Sequence, residues 1–316
     1  MKAPGEIVCD GLTKSYGKGK RALSSVSLTV PTSGIFTLIG RNGAGKTTLT
    51  RILATLLEPT SGTATIDGLD VMADARRLRE RIAVVPQEGR TVAWMTPVQT
   101  VSSYLMWRGH GYGEARRRAV EAMAKVGIER FADRLNRMLS GGIKRKVLVA
   151  MVLASDASII FLDEPSTGLD PISRRELWDV LIALGRERFV FLTTHYLEEA
   201  EQVSDRIGIL DDGRLLSMGT LDELRREMRF GYSLVVSRGA PEVPASFVGE
   251  RYVRRDGQTQ MLTTEDEALS MAKRFVDGGV RFSMNPVTLD DVFNYVVVRE
   301  GARNGRSGAA GGEGGR

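Results

Sequence analysis

GRNGAGKTT, residues 40–48, stands between two stretches of different periodicity. Before it, Gly34-Ile35-Phe36-Thr37-Leu38-Ile39 is a continuous apolar run of strand length, as expected for a strand buried on both faces. After it, Leu49, Ile52, Leu53, Leu56 and Leu57 recur at helical spacing from Lys46 onward, and Glu58-Pro59-Thr60-Ser61-Gly62 stops the run. The nine residues therefore meet the pattern G-x-x-x-x-G-K-[ST] in the strand–loop–helix context that gives the pattern its meaning. Gly40, Gly43 and Gly45 let the backbone wrap an anion with its N–H groups, and the loop with Asn42, Ala44 and Thr48 is the expected phosphate cradle. Lys46 can reach terminal phosphates, and the Thr47 hydroxyl can ligate Mg²⁺.

A second anion-seeking stretch lies a hundred residues on, LSGGIKRKV at 139–147. Ser140, Gly141 and Gly142 open what reads as an apolar helix, whose N-terminus carries about half a positive charge. Lys144, Arg145 and Lys146 add three cations where the helix dipole favours acids, so they either raise the local potential or pair with acids nearby.

The whole chain is only mildly basic, with 44 Lys and Arg against 39 Asp and Glu, a formal charge of +5. The Arg groups at 76–77, 79, 81, 116–118 and 254–255 are short and read as solvated faces, so nucleic acid is not an expected partner. Cys9 is alone, which excludes an intrachain disulfide or a cysteine zinc cluster and fits a reducing compartment. The N-terminus has no apolar core of signal-peptide length. The most apolar long run, Val147 to Leu162, is broken by Ser155, Asp156 and Ser158 and does not read as a membrane span. A cytoplasmic protein is expected.

Alternating strand and helix patterns with apolar strands at Ser158–Leu162, Phe189–Thr193 and Arg206–Leu210 predict an α/β core with a largely parallel sheet. An amphipathic strand at Leu23–Val30 precedes them. Residues 96–155 interrupt the core with a helical insert, whose approach begins near residue 88. Thr96-Pro97-Val98-Gln99 is a capping-box start, a second helix covers about Glu114–Val126, and the helix after LSGG closes the insert. The core should span residues 1–216. A small α+β domain, 217–300, then follows, with a helix capped at Thr220, strands at Tyr232–Ser237, Arg251–Arg254 and Gln260–Thr263, a helix at Glu265–Val276, a strand near Val280–Met284 and a helix from Thr288 to Arg299. Residues 301–316 hold seven Gly and almost nothing apolar, so a disordered tail is expected.

Five further residues could serve a phosphate site. Asp163-Glu164 ends the strand SIIFL, where a carboxylate could hold Mg²⁺ through water and its neighbour could polarise an attacking water. His195 ends the strand RFVFLTT and could equally be structural; Gln87 is a loop amide able to touch metal and water; Tyr16 could stack on an adenine or edge the core.

Taken together, these motifs resemble the ATP-binding subunit of ABC transporters over residues 5 to about 216, a P-loop NTPase of ABC type. GRNGAGKTT looks like the Walker A loop and IIFLDEP like the Walker B strand. Tyr16 matches the adenine platform, Gln87 the Q-loop, Ser166-Thr167-Gly168-Leu169-Asp170 the D-loop, His195 the switch histidine and LSGG the signature. The resemblance implies Mg-ATP hydrolysis with Glu164 as base or water-polariser, His195 on the γ-phosphate, and Lys46, Thr47, Asp163 and Gln87 managing phosphate and metal. It also implies a second ATP-binding domain, in a homodimer by preference, arranged head to tail so that Ser140, Gly141 and Gly142 bind ATP held by the partner. Ile143 stands where the family commonly has Gln.

A chain of this kind moves solute only through a separate membrane permease, which places it at the inner face of the cell membrane. Trp94, Tyr104, Trp107 and Tyr112 lie in the region where such a permease docks in the family. The stretch from Pro286 to Phe293 is similar to C-terminal extensions of drug- and antibiotic-export ATPases, which are linked with dimer contacts or regulation. Export of a drug, antibiotic or lipid-like substrate is therefore expected. The alternative is a soluble ABC-type ATPase with a regulatory or nucleic-acid role; neither long heptads, zinc motifs nor a second cassette supports it.

Overall fold

The first buried strand, β3 (Ile35–Ile39), has all five residues buried and pairs in parallel on both sides, so its apolar run never meets solvent. A computed structural model describes residues 5–17, 19–236, 252–255 and 258–309. The chain divides into two compact units, Met1–Leu215 and Leu216–Arg316.

In the first unit β3 stands in a six-stranded sheet with β6 (Ile82–Val85), β7 (Ile159–Asp163), β8 (Phe189–Thr194), β9 (Arg206–Asp211) and β10 (Arg214–Gly219). The spatial order is β10-β9-β3-β8-β7-β6, and every pair from β9 through β6 is parallel. The division between the units falls within β10. A second, antiparallel sheet, in the order β2-β1-β4-β5, joins β1 (Glu6–Tyr16), β2 (Lys20–Pro31), β4 (Ser61–Ile66) and β5 (Leu69–Asp70). The expected parallel core is present. The antiparallel sheet is additional: only β2 among its strands shows enough alternation to be legible.

Helix α1 (Lys46–Leu53) is shorter than its leucine spacing predicts; it stops before Leu56 and Leu57 because Thr55 turns to a φ of 61°. After α2 (Ala75–Arg81) comes the helical insert, α3 (Pro97–Trp107), α4 (Tyr112–Lys125) and α5 (Gly141–Ala154). Thr96 caps α3 reciprocally with Gln99. Val101, Leu105, Ala115, Ala119, Met123 and Val147 form part of one continuous core that also includes strand residues Ile160 and Val190. Tyr104 packs against this core, whereas Trp94, Trp107 and Tyr112 are exposed, Trp107 to 91%. Two further helices, α6 (Pro171–Gly185) and α7 (Leu197–Val203), complete the unit.

The second unit opens with α8 (Leu221–Glu227), capped by the Thr220–Glu223 box. Its antiparallel sheet runs β12-β13-β11-β14, from β11 (Tyr232–Val236), β12 (Tyr252–Arg255), β13 (Gln258–Thr263) and β14 (Phe282–Pro286). Helix α9 (Glu265–Asp277) buries Ala268, Met271 and Phe275 against Leu234, Val236 and Met261. The expected strand residues Ser237 and Arg251 lie outside the described residues.

Helix α10 (Leu289–Ala309) corrects the expected tail, because residues 301–309 continue the helix instead of ending it. Thr288 starts it, its N–H and hydroxyl both donating to Asp291 at 2.9 Å. Once nucleated, a helix gains a hydrogen bond for each residue it orders, so Ala and Arg can carry it past isolated glycines that cost about 1 kcal/mol each. Residues 310–316 lie outside the described residues.

Candidate nucleotide site

The phosphate loop joins the carboxyl end of β3 to α1. Gly45, the residue before α1, has φ 108°, and a Cβ there would lie 2.3 Å from the Ala22 carbonyl oxygen, so glycine is required on two grounds. Gly43, also at positive φ, makes the preceding turn. The loop is backed by the β9–β10 turn, where the Gly213 N–H donates to the Ala44 carbonyl at 3.0 Å. Helix α1 has no acid in its first turn and no side-chain cap, which leaves its leading N–H groups for an anion.

Lys46 turns back over its own loop. Its Nζ donates to the Gly40 carbonyl at 2.7 Å and the Arg41 carbonyl at 3.2 Å, and it stands 3.6 Å from Glu164 Oε1. Burial lowers its pKa, while the charges of Glu164 and Asp163 oppose that shift.

Around Glu164 three strand ends converge. β7 delivers Asp163 and Glu164, β8 delivers Thr193 and then His195, and β6 leads to Gln87. The Glu164 carboxylate accepts from Gln87 Nε2 and Thr167 Oγ1, each at 3.3 Å, and lies 3.2 Å from His195 Nδ1. Its backbone is left-handed, φ 50°, a conformation that costs a non-glycine residue about 1–3 kcal/mol unless its surroundings hold it. One restraint is the Glu164 N–H, which donates to the Thr193 carbonyl at 3.0 Å. Asp163 is buried, and its Oδ1 accepts from the Thr193 hydroxyl.

A cleft of about 450 Å³ opens over this cluster. Asn42, Gly43, Gly45, Lys46, Thr47 and Thr48 line it from the loop, and Tyr16, Gln87 and Glu164 from elsewhere. Gly40, Ala44, Asp163 and His195 are not among the residues that line it. Arg21 and Ala22 of β2 also line it. Neither is legible from the sequence, since only the β1–β2 pairing, Tyr16 opposite Lys20, brings that strand beside Tyr16.

Ser140, Gly141 and Gly142 do not line this cleft. Ser140 caps α5, accepting from the Ile143 N–H at 3.3 Å, and Gly141 lines a separate cleft of about 370 Å³ with Gln87, Lys144, Thr167 and Gly168. The three cations part ways. Lys146 pairs with Glu176 at 2.7 Å, Lys144 lines the second cleft, and Arg145 turns inward to backbone carbonyls.

A glycine loop on a buried parallel strand, with a lysine over it and an acid pair on the strand two places away in the sheet, defines a P-loop nucleoside triphosphatase. The family profile described as ABC transporter matches residues 23–167. The daunorubicin/doxorubicin resistance ATP-binding protein DrrA of Streptomyces peucetius is 39% identical over 223 residues, covering 70% of this chain and 67% of that protein. The daunorubicin resistance ATP-binding protein DrrA3 of Streptomyces coeruleorubidus is 36% identical over 302 residues, covering 92% and 95%. Among solved structures, a dimeric ATP-binding cassette in a post-hydrolysis state with ADP and Pi superimposes with TM-score 0.63 at 27% identity, over 68% of this chain and 98% of the other. The chain belongs to the ABC transporter family, as an ATP-binding subunit whose hydrolysis of ATP is coupled to transport. No helix among the described residues is long and apolar enough to cross a membrane.

Proposed function

We propose that this chain powers export of drug- or antibiotic-like molecules through a separate permease at the cytoplasmic face of the membrane, and that it does so by pairing head to tail with a second ATP-binding domain. The observation that carries the catalytic part is the convergence of Lys46, Gln87, Thr167 and His195 on one carboxylate, Glu164, facing the cleft. In this reading the loop N–H groups and Lys46 hold the β- and γ-phosphates, and Tyr16 takes the adenine. Glu164 orients and deprotonates the attacking water, while His195 contacts the γ-phosphate. Thr47, Asp163 and Gln87 present hard oxygen donors that suit Mg²⁺, and their small number fits an ion that relies on substrate phosphates for the rest. Bound there, Mg²⁺ would neutralise charge on the transferred phosphoryl group.

Pairing is supported by the separation of LSGG from the cleft of its own chain. Ser140 and the N–H groups of Gly141 and Gly142 would then serve the partner's γ-phosphate, with each bond to that charged group contributing about 1.5–3 kcal/mol. Exposed Trp94, Trp107 and Tyr112 are candidate permease contacts. Export is supported by the DrrA relatives, named for daunorubicin and doxorubicin resistance. We assign residues 217–300 an accessory role in dimer contacts or regulation.

Light scattering of Glu164→Gln with and without Mg-ATP tests the pairing. A dimer only with ATP, lost in the added Ser140→Arg variant, is expected. A monomer with ATP demonstrably bound would defeat self-pairing, and Ile143→Gln would then show whether the apolar signature residue is the reason.

A further inference from the structure

Arg145 is buried on α5, in the second turn of the helix that begins with the signature. A guanidinium has five N–H donors in a planar fork, and five backbone carbonyls meet this one. Nη2 donates to Asp163 and Glu164 at 2.6 and 2.7 Å, and Nε donates to Pro165 at 3.2 Å. Nη1 donates to Pro86 and Gln87 at 3.1 and 3.2 Å. No carboxylate takes part in this set, although Asp163, Glu164 and Glu199 lie close enough to favour the charge against its burial.

The pattern is unusual for a strand end. Successive carbonyls of an extended chain point to opposite sides, yet those of residues 163, 164 and 165 share one cation. The left-handed backbone of Glu164 allows that. The guanidinium thus binds both the peptide groups that set the Glu164 carboxylate and the loop that sets Gln87, and it does so from the helix bearing LSGG.

We infer that Arg145 is a positioning residue for ATP hydrolysis: its five-carbonyl clasp fixes Glu164 and Gln87 in one frame with the signature helix. The inference rests on the reading of Glu164 as the hydrolytic carboxylate. Lysine keeps the charge but has three donors on a point-like head, so it cannot reproduce the fork.

The test compares Mg-ATP affinity, kcat and KM for wild type, Arg145→Lys, Arg145→Ala and Glu164→Gln. Misplacement of a reacting group by about 1 Å costs roughly a hundredfold in rate, so Arg145→Lys should bind Mg-ATP within about threefold of wild type while kcat falls roughly a hundredfold. Millimolar guanidinium should restore part of the turnover of Arg145→Ala, and methylammonium should not. Wild-type kcat in Arg145→Lys, or a loss confined to KM, overturns the inference. Failure of both Arg145 variants to fold, with no rescue, also overturns it and leaves Arg145 a purely structural role. Wild-type turnover in Glu164→Gln instead overturns the reading on which the inference rests, whatever Arg145→Lys does.

Discussion

Replacing Glu164 by Gln changes a charge and almost no volume, which makes it the sharpest perturbation of the site. The amide can keep the contacts with Thr167 and His195, but it cannot accept a proton from water. Loss of a positioned general base costs about 10²–10⁴-fold in rate, so kcat should fall by that factor, or about 2.7–5.5 kcal/mol in activation free energy. Nucleotide binding should move the other way. Lys46 stands 3.6 Å from the carboxylate, both nearly buried, a gross attraction of about 4–5 kcal/mol at an effective dielectric near 20. Most of that is offset by the desolvation of both groups, yet its removal leaves the loop more positive towards phosphate. The affinity for Mg-ATP should be unchanged or tighter by up to about tenfold, which is about 1.4 kcal/mol. Phosphate release at saturating Mg-ATP measures the first quantity, and equilibrium dialysis of labelled ATP the second. A kcat within about threefold of wild type would refute the hydrolytic role, and an ATP affinity weakened more than about tenfold would show that the carboxylate serves binding instead.

Three other outcomes are expected. Thr193→Val removes the hydroxyl that serves both Asp163 and the Glu164 N–H, the latter at 3.2 Å, and should destabilise the first unit by about 1.5–3 kcal/mol in denaturant titration, with Thr193→Ser largely restored. Glu199, fully buried with Trp178 Nε1 donating to it at 3.1 Å, has its pKa raised above 4.5 by burial. A raised carboxyl pKa means that stability is complete below the ordinary value and is lost as pH rises towards the folded one. Wild type should therefore lose ground to Glu199→Gln by up to about 1.4 kcal/mol per pH unit across that window, and a pH-independent difference in their unfolding midpoints would contradict a raised carboxyl pKa. Gly45→Ala forces a Cβ against the Ala22 carbonyl at a φ of 108° and should abolish ATP binding in the same dialysis assay; binding near wild type would mean that the loop tolerates another backbone path.

Much of the molecule was legible from local chemistry. The phosphate loop announces itself because its glycine spacing, flanking apolar strand and following helix are set within about twenty residues, and the caps at Thr96 and Thr220 are read the same way. Asp163, Glu164 and His195 could be placed at strand ends because β7 and β8 are unbroken apolar runs. The antiparallel strands β1, β4 and β5 were less visible, being short or half-exposed and held in place by partners distant in sequence. The extent of α10 is not legible in glycine content, which describes the unfolded cost and not the helix already nucleated behind it.

The groups that handle phosphate, and the strand or loop each one ends, are readable from neighbouring residues alone. The place of β8 between β3 and β7, the reach of Gln87 to Glu164 across 77 positions and the turn of Arg145 towards carbonyls instead of an anion come from long-range packing. Those relations depend on which strands pair and which helix covers them. Pairing is settled by burial summed over the whole core, whereas a motif records only the backbone conformation its own residues allow.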